Sequence, residues 1–125
     1  MAGRAEPRTI HLVRHAHAGD ALEWTGPDDR RPLTPKGERQ AIRLGRHLAA
    51  CAIVPSAIVS SPRARAVRTA ELIAAALDLP VAIDPRVAAL AGLDELAAVV
   101  ADHGDAPMLV GHEPDLSGLV QIGRA

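Results

Sequence analysis

Four side chains suited to binding or attacking a phosphoryl group stand at or shortly after the ends of short apolar runs: Arg14, His15, Arg65 and His112. If these runs are parallel strands, their carboxyl ends meet at one edge of a sheet, where ligands gather. Guanidinium groups offer planar forks of donors to phosphate oxygens, and a neutral imidazole is a nucleophile near neutral pH. The spacing therefore predicts a phosphoryl-binding pocket.

Each of these residues also has a simpler interpretation when it is taken alone. A lone histidine at a strand end is more often hydrogen-bonded to backbone, and Arg65 is one of several arginines in its helix, beside Arg63 and Arg68. The pocket is favoured because all four side chains occur in order, each at a predicted strand or helix end. Ser61, followed by Pro62, resembles a helix start, where free N–H groups favour an anion.

The elements that must position these residues follow from the alternation of short apolar runs with helical periodicity, which is typical of a parallel α/β sheet. Strands are predicted at 9–13, 57–60, 81–83 and 108–110, separated by helices and by a long loop at 14–31. Predicted helices begin at Thr34-Pro35, at Ser61-Pro62, near Leu93 and at Pro114. Their inward residues are Ala41, Leu44, Gly45 and Leu48; Ala66, Ala70, Ile73 and Leu77; Leu93, Leu96, Ala97 and Val100; and Leu116, Leu119 and Val120.

Bulk properties narrow the class of protein. With 125 residues the chain is predicted to form one domain, 1–125, and its net charge of -1 gives no general attraction to nucleic acid or membranes. The single Cys51 excludes a disulfide framework and a cysteine-rich zinc site. No apolar stretch approaches the roughly 18 residues of a membrane span, and no secretory signal is visible. We expect a cytoplasmic protein.

Four ordered motifs resemble the histidine phosphatase superfamily, and most closely its small SixA-type phosphohistidine phosphatases. These motifs are Leu12-Val13-Arg14-His15; Arg31-Pro32-Leu33-Thr34 with Gly37; Ser60-Ser61-Pro62 with Arg65-Ala66 and Thr69; and Gly111-His112. The resemblance covers nearly the whole chain. It implies a phosphoglycerate mutase-like fold: a single α/β domain with a mostly parallel sheet and helices on both faces.

The resemblance also implies a role for each residue of the pocket. His15 would be the nucleophile that becomes phosphorylated, while Arg14, Arg65 and His112, with Ser61, would hold the phosphoryl group. No metal or other cofactor is expected. The partner would be a phosphorylated protein carrying phosphohistidine, or a small phosphorylated substrate.

Two departures from the family pattern bear on this interpretation. Ala16 stands where the family usually has Gly, so the backbone there must avoid positive φ or accept strain. The sequence also ends at Ala125, soon after the Gly-His motif, and so looks shortened at its C-terminus. Leu116, Leu119, Val120 and Ile122 would then lack cover, which predicts either self-association through this segment or a frayed last helix.

Several alternatives stay open at this stage. The chain could instead be a phosphatase or mutase acting on a small phosphorylated metabolite, or an inactive phosphate-binding module. His15, His17 and Asp20 match the spacing of some metal-dependent hydrolases, with His11 as a further imidazole, although no later set of His and Asp completes a site. The general acid is unassigned; the candidates are Asp20, Glu113 and Asp115.

Overall fold

The computed structural model describes residues 9–90 and 92–112, which contain a four-stranded parallel sheet. Its strands are β1 (His11–Arg14), β2 (Ala57–Ser60), β3 (Val81–Ile83) and β4 (Pro107–Gly111). They lie in the order β1-β4-β2-β3, and every neighbouring pair is parallel. The predicted single α/β domain is confirmed.

The register brings the carboxyl ends of all four strands to one edge. Arg14 lies opposite Gly111, and Ser60 lies opposite both Val110 and Ile83. Backbone pairing continues one residue further, because the His15 amide donates to the Gly111 carbonyl at 3.0 Å. This edge therefore gathers the ends of the segments that carry the predicted site.

Helices cover both faces of the sheet, as expected. On one face α1 (Pro35–Ala50) packs against α2 (Ala64–Leu77), and α2 lies on the sheet over a core that includes Ile58, Ile73 and Met108. On the other face α3 (Leu93–Ala101) and a 3₁₀ turn at Pro85–Ala89 pack over Val59, Leu109 and their neighbours. With no Phe or Tyr in the chain, both cores consist of small aliphatic side chains.

The start of α1 has the predicted threonine cap and proline. The Thr34 hydroxyl caps the helix by accepting the Gly37 amide at 3.1 Å, and Pro35 occupies the first turn, where its missing N–H costs nothing. Gly45 lets α1 approach α2 closely, because a Cβ there would lie 3.0 Å from Ala76 Cβ and 3.1 Å from Ile73 Cα. The two helices α1 and α2 therefore pack closely against each other.

The structure corrects two helix predictions. The second helix begins at Ala64 rather than at the Ser61-Pro62 pair, and Ser61 is not its cap. The reason is that the Ser61 amide extends the sheet by donating to Val110 at 3.0 Å. In α3 the inward residues are Leu96, Val99 and Val100, whereas Leu93 and Ala97 are exposed.

Smaller differences concern strand ends and partial burial. β1 starts at His11 rather than at residue 9, whereas β2 and β3 have their predicted bounds. Leu44, Leu48 and Leu77 are only partly buried. The helix expected from Pro114, and the self-association expected through Leu116, Leu119, Val120 and Ile122, fall outside the described residues. None of the described helices is long and apolar enough to cross a membrane.

Candidate active site

The His15 ring is held in one tautomer by the backbone that follows it. Its Nδ1 lies 2.7 Å from the Ala16 carbonyl oxygen. A carbonyl oxygen only accepts hydrogen bonds, so we assign the ring hydrogen to Nδ1. The Nε2 lone pair is then free to attack an electrophile.

The loop after β1 is fastened to α2. The Ala16 amide donates to Thr69 Oγ1 at 3.0 Å, and the Thr69 hydroxyl in turn donates to the Arg65 carbonyl at 2.8 Å. Ala16 itself is not strained: among the described residues other than Gly, only Ala52 and Asp78 have positive φ. Of the two possibilities left by the sequence, the backbone at Ala16 avoids positive φ, and alanine fits after His15.

His17 joins the same loop to the start of α1. Its Nδ1 lies 2.7 Å from Thr34 Oγ1, and its carbonyl oxygen accepts the Thr34 amide at 3.0 Å. A Cβ at Gly37 would overlap the His17 carbonyl oxygen, so only glycine lets the helix approach this closely. The predicted Thr34 and Gly37 motif thus sets the position of the loop.

The metal-hydrolase alternative is not matched by this geometry. The His17 ring is engaged with Thr34, and Asp20 Oδ1 accepts the Leu22 amide at 2.9 Å. Across residues 9–90 and 92–112 no three His, Cys, Asp or Glu side chains are grouped closely enough to hold a metal ion. His15, His17 and Asp20 therefore do not form a common site.

His112 lies against His15 and is almost fully buried. The two ring centroids are 5.2 Å apart, and the ring planes are tilted by 54°. His112 Nε2 lies 2.6 Å from Ser61 Oγ, which also accepts the Arg63 amide at 3.2 Å. If the Ser61 hydroxyl donates to Nε2, His112 carries its hydrogen on Nδ1, which is buried and has no partner in the described part of the chain.

Arg65 is buried in the first turn of α2 and is hydrogen-bonded to Asp28, a residue that the sequence did not predict for the site. Its Nη1 donates to the Asp28 carbonyl oxygen at 2.8 Å and its Nη2 to Asp28 Oδ2 at 3.0 Å. Arg65 Nε is buried and has no partner among the residues that the structure describes. Asp28 lies three residues before Arg31, which signals a local pair, but nothing in the sequence indicates its contact with a helix 37 residues later.

Arg14 is exposed and, with His15, lines a cavity of about 500 Å³. Arg31, Gln40 and Leu44 are among its other lining residues, and none of the described lining residues is a carboxylate. Arg65, Ser61 and His112 do not line this cavity; they are buried beside His15. The structure thus places His112 in contact with both His15 and Ser61. Arg65 is buried, and Arg14 lies at the open cavity.

Burial and nearby cations keep both imidazoles neutral. Burial is the largest cause that lowers the pKa of His15 below its ordinary value, and three arginines act in the same direction while its backbone hydrogen bond opposes them. Burial, assisted by Arg63, lowers the pKa of His112 to about 4. Each ring is therefore predominantly uncharged at pH 7.

Comparison with known proteins agrees with the family resemblance of the sequence motifs. Residues 10–92 match the sequence model of the histidine phosphatase superfamily (branch 1). Over 84 residues the chain is 37% identical to a probable phosphoglycerate mutase GpmB of Cronobacter sakazakii, covering 62% of this chain and 36% of that protein.

Two similar solved structures are described as putative SixA phosphohistidine phosphatases. The one from Agrobacterium tumefaciens has a TM-score of 0.79 and 24% identity, with 94% of this chain and 77% of that chain covered. The one from Nakamurella multipartitia has a TM-score of 0.70 and 32% identity, with 89% and 62% covered. The chain therefore spans less than two thirds of the second structure and about a third of the mutase.

Proposed function

Because the chain belongs to branch 1 of the histidine phosphatase superfamily, we propose that it is a metal-independent hydrolase that removes phosphoryl groups from protein phosphohistidine. His15 would carry the phosphoryl group as a covalent intermediate. The observation that carries this proposal is the His15 ring itself, with Nδ1–H held by the Ala16 carbonyl and Nε2 free. Such a ring is a preformed nitrogen nucleophile.

In the first step His15 Nε2 forms a bond to phosphorus while the bond from phosphorus to the substrate imidazole breaks. The substrate imidazole leaves as a neutral ring when its other nitrogen carries a proton. The attacking His15 ring then carries Nδ1–H together with the new N–P bond, and so becomes positively charged. The Ala16 carbonyl, as the acceptor of Nδ1–H, stabilises that charge.

In the second step water attacks phosphorus and the bond to His15 breaks. His15 leaves as a neutral ring that still carries Nδ1–H. One hydrogen of the attacking water stays on the oxygen that joins the phosphate, and the other is released to solvent. The same hydrogen bond to Ala16 therefore serves both steps. Neither step needs an acid to protonate the leaving nitrogen.

The remaining site residues would stabilise charge on the phosphoryl oxygens, which is the main task in phosphoryl transfer. Arg65 offers its unpartnered Nε–H, and His112 offers Nδ1–H. Arg14 would bind from the open side, beside His15. Ser61 would act indirectly, by fixing the His112 tautomer through the 2.6 Å contact. The sequence instead predicts that Ser61 holds the phosphoryl group directly at a helix start.

The ionisation of Asp28 favours a phosphoramidate over an oxygen ester as the substrate. Of the general-acid candidates expected from the sequence, Asp20 accepts the Leu22 amide, and Glu113 and Asp115 fall outside the described residues. An alcohol leaving group needs a carboxylic acid nearby, whereas a protonated imidazole does not. The carboxylate at Arg65 is Asp28, and hydrogen bonding from Arg31, followed by the charge of Arg65, holds its pKa below the ordinary value. Asp28 is therefore ionised at neutral pH and poorly suited to donate a proton.

The exposed face of α1 supports a protein substrate with acidic surface. It carries four cations spaced three or four residues apart, none of which is ion-paired within residues 9–90 and 92–112: Lys36, Arg39, Arg43 and Arg46. Like charges at this spacing destabilise a helix, and a partner's carboxylates would relieve the repulsion. The same helix lines the cavity through Gln40 and Leu44. A cytoplasmic location, suggested by the single Cys51, is part of this proposal.

The experiment that tests the proposal compares a phosphohistidine peptide with acidic flanks, a matched peptide with basic flanks, and p-nitrophenyl phosphate. We expect kcat/KM to be highest for the acidic phosphohistidine peptide and about 10²-fold or more lower for the ester, given the usual contribution of general acid catalysis. Activity should survive EDTA. A higher kcat/KM for the ester, or loss of activity in EDTA that zinc restores, would contradict the proposal.

One observation favours a second candidate. The 37% identity to a probable phosphoglycerate mutase points to small phosphorylated metabolites as substrates. Turnover of a phosphorylated hydroxy acid with higher kcat/KM than the phosphohistidine peptide would support it. Binding of phosphate without turnover of any of these substrates would instead identify an inactive phosphate-binding module.

The depressed imidazole pKa values predict the pH dependence of the reaction. Protonated His15 cannot attack, so kcat/KM should rise with pH through the His15 pKa and level off by about pH 7, since that pKa lies below the usual 6.5. The measurement is a kcat/KM profile from pH 4 to 9, corrected for the ionisation of the substrate. A rising limb with its midpoint above 6.5 would show that the pKa of His15 is not lowered in the free enzyme.

A further inference from the structure

Arg65 presents two different edges, and the described part of the chain occupies one of them. A guanidinium group can bind two oxygens through Nη1 and Nη2, or through Nε and Nη2. Asp28 takes the first edge, with its carbonyl oxygen on Nη1 and Oδ2 on Nη2. The second edge keeps Nε–H and the other Nη2 hydrogen, and Nε is buried with no partner among residues 9–90 and 92–112.

A buried N–H without an acceptor is costly, so the free edge marks the place where an acceptor oxygen belongs. Arg65 is 4% exposed, so its guanidinium has little freedom to turn. An oxyanion can bind the Nε edge while Asp28 stays in place. Asp28 therefore need not compete with the phosphoryl group, although it is also an anion on the same arginine.

Asp28 is itself held by Arg31, which connects it to the nucleophile loop. Arg31 Nε donates to Asp28 Oδ1 at 3.1 Å, and the Arg31 amide donates to the Asp28 carbonyl at 3.0 Å. Arg31 Nη1 donates in turn to the carbonyl oxygens of Ala18, at 2.8 Å, and Gly19, at 3.1 Å. A continuous set of hydrogen bonds thus joins the loop that begins at His15 to Arg65.

We propose that Asp28 is a positioning residue: by gripping the Nη1–Nη2 edge of Arg65, it directs the Nε edge at the phosphoryl group and aligns it with the His15 loop. The proposal rests on the function proposed above. Asp28 touches no reacting atom and acts through Arg65. Its loss would leave the charge of Arg65 in the site but not its orientation.

The chain offers a matched control in the next residue. Asp29 belongs to the same 3₁₀ turn and lies 3.4 Å from Arg63 Nε, but its side chain is 77% exposed. We expect Asp28→Ala to lower kcat on the phosphohistidine peptide about 10- to 100-fold with a smaller change in KM, because small misplacements act chiefly on the transition state. Asp28→Asn, which keeps an oxygen acceptor, should recover part of the loss, and Asp29→Ala should stay within about 2-fold.

A double-mutant cycle separates positioning from a general structural role. If Asp28 acts through Arg65, Asp28→Ala should have little further effect on kcat in an Arg65→Lys background, giving strong non-additivity. Additive losses would overturn the proposal, as would equal effects of Asp28→Ala and Asp29→Ala. An increase in activity, with tighter inhibition by orthovanadate, would show that Asp28 is a competitor instead.

Orthovanadate binding also distinguishes failure of this proposal from failure of the proposed function. If the wild-type protein turned over no phosphohistidine peptide, yet Asp28→Ala weakened vanadate binding at least 5-fold more than Asp29→Ala, the positioning role would stand and the substrate assignment would fall. If turnover were normal and vanadate binding equal in both variants, the positioning role would fall alone.

Discussion

Replacing His15 with Ala is expected to lower phosphatase turnover by about 10³-fold or more, because no other described side chain next to His112 can form the N–P bond. The covalent intermediate should disappear with it. The measurement is steady-state turnover of the phosphohistidine peptide, together with trapping of acid-labile, base-stable phosphate on the protein. Circular dichroism would confirm that the variant is folded.

His17→Ala is the control for this experiment, since it removes an imidazole from the same loop. We assign His17 no chemical step, but its Nδ1 lies 2.7 Å from Thr34 Oγ1, so its removal should loosen the loop. Loss of one such hydrogen bond corresponds to a change of about 10-fold at most. Phosphate label that persists on the His15→Ala protein would mean that another residue is the nucleophile.

Much of the fold could be predicted from the sequence, because its signals are local. The bounds of β2 and β3 follow from short apolar runs, and the start of α1 follows from the Thr34 cap and Pro35. Parallel strands end at a common edge, so the meeting of His15 and His112 could also be expected. Those predictions needed only the chain order and the strand direction.

The sequence predicted less where several interactions compete for one residue. Ser61 has the pattern of a helix cap, but its amide is hydrogen-bonded to Val110 in the sheet and its hydroxyl contacts His112. In α3 both Leu93 and Val99 fit an apolar stripe, because most of the helix is apolar and its periodicity does not select one face. Only packing against the sheet decides which side turns inward.

The hydrogen bonds between Arg65 and Asp28 could not be predicted from the sequence for a different reason. The two residues are 37 positions apart and belong to a loop and a helix whose contact depends on the whole tertiary arrangement. An aspartate in a polar loop is usually solvated, and the spacing of Asp28 from Arg31 indicates only a local pair, not a contact with Arg65. The contact matters because it changes what a substitution of Arg65 should do.

Arg65→Lys should reduce kcat/KM about 10²- to 10³-fold even though the charge is kept, the range expected when one donor to a developing oxyanion is lost. An ammonium group is a point charge and cannot bind Asp28 along one edge and phosphoryl oxygens along another. The variant must leave either Asp28 or the phosphoryl group with fewer hydrogen bonds. The measurement is kcat/KM on the phosphohistidine peptide, with the inhibition constant of orthovanadate as a second readout.

Arg68→Lys provides the matched control on the same helix, one turn further along. Its guanidinium is exposed and binds Glu38 through Nε at 2.9 Å and Nη2 at 3.1 Å. Exposed ion pairs contribute little, so kcat/KM should stay within about 2-fold. If Arg65→Lys proved equally mild, a positive charge alone would suffice at this position. The two-edged arrangement of Asp28, Arg65 and the phosphoryl group would then have no catalytic consequence.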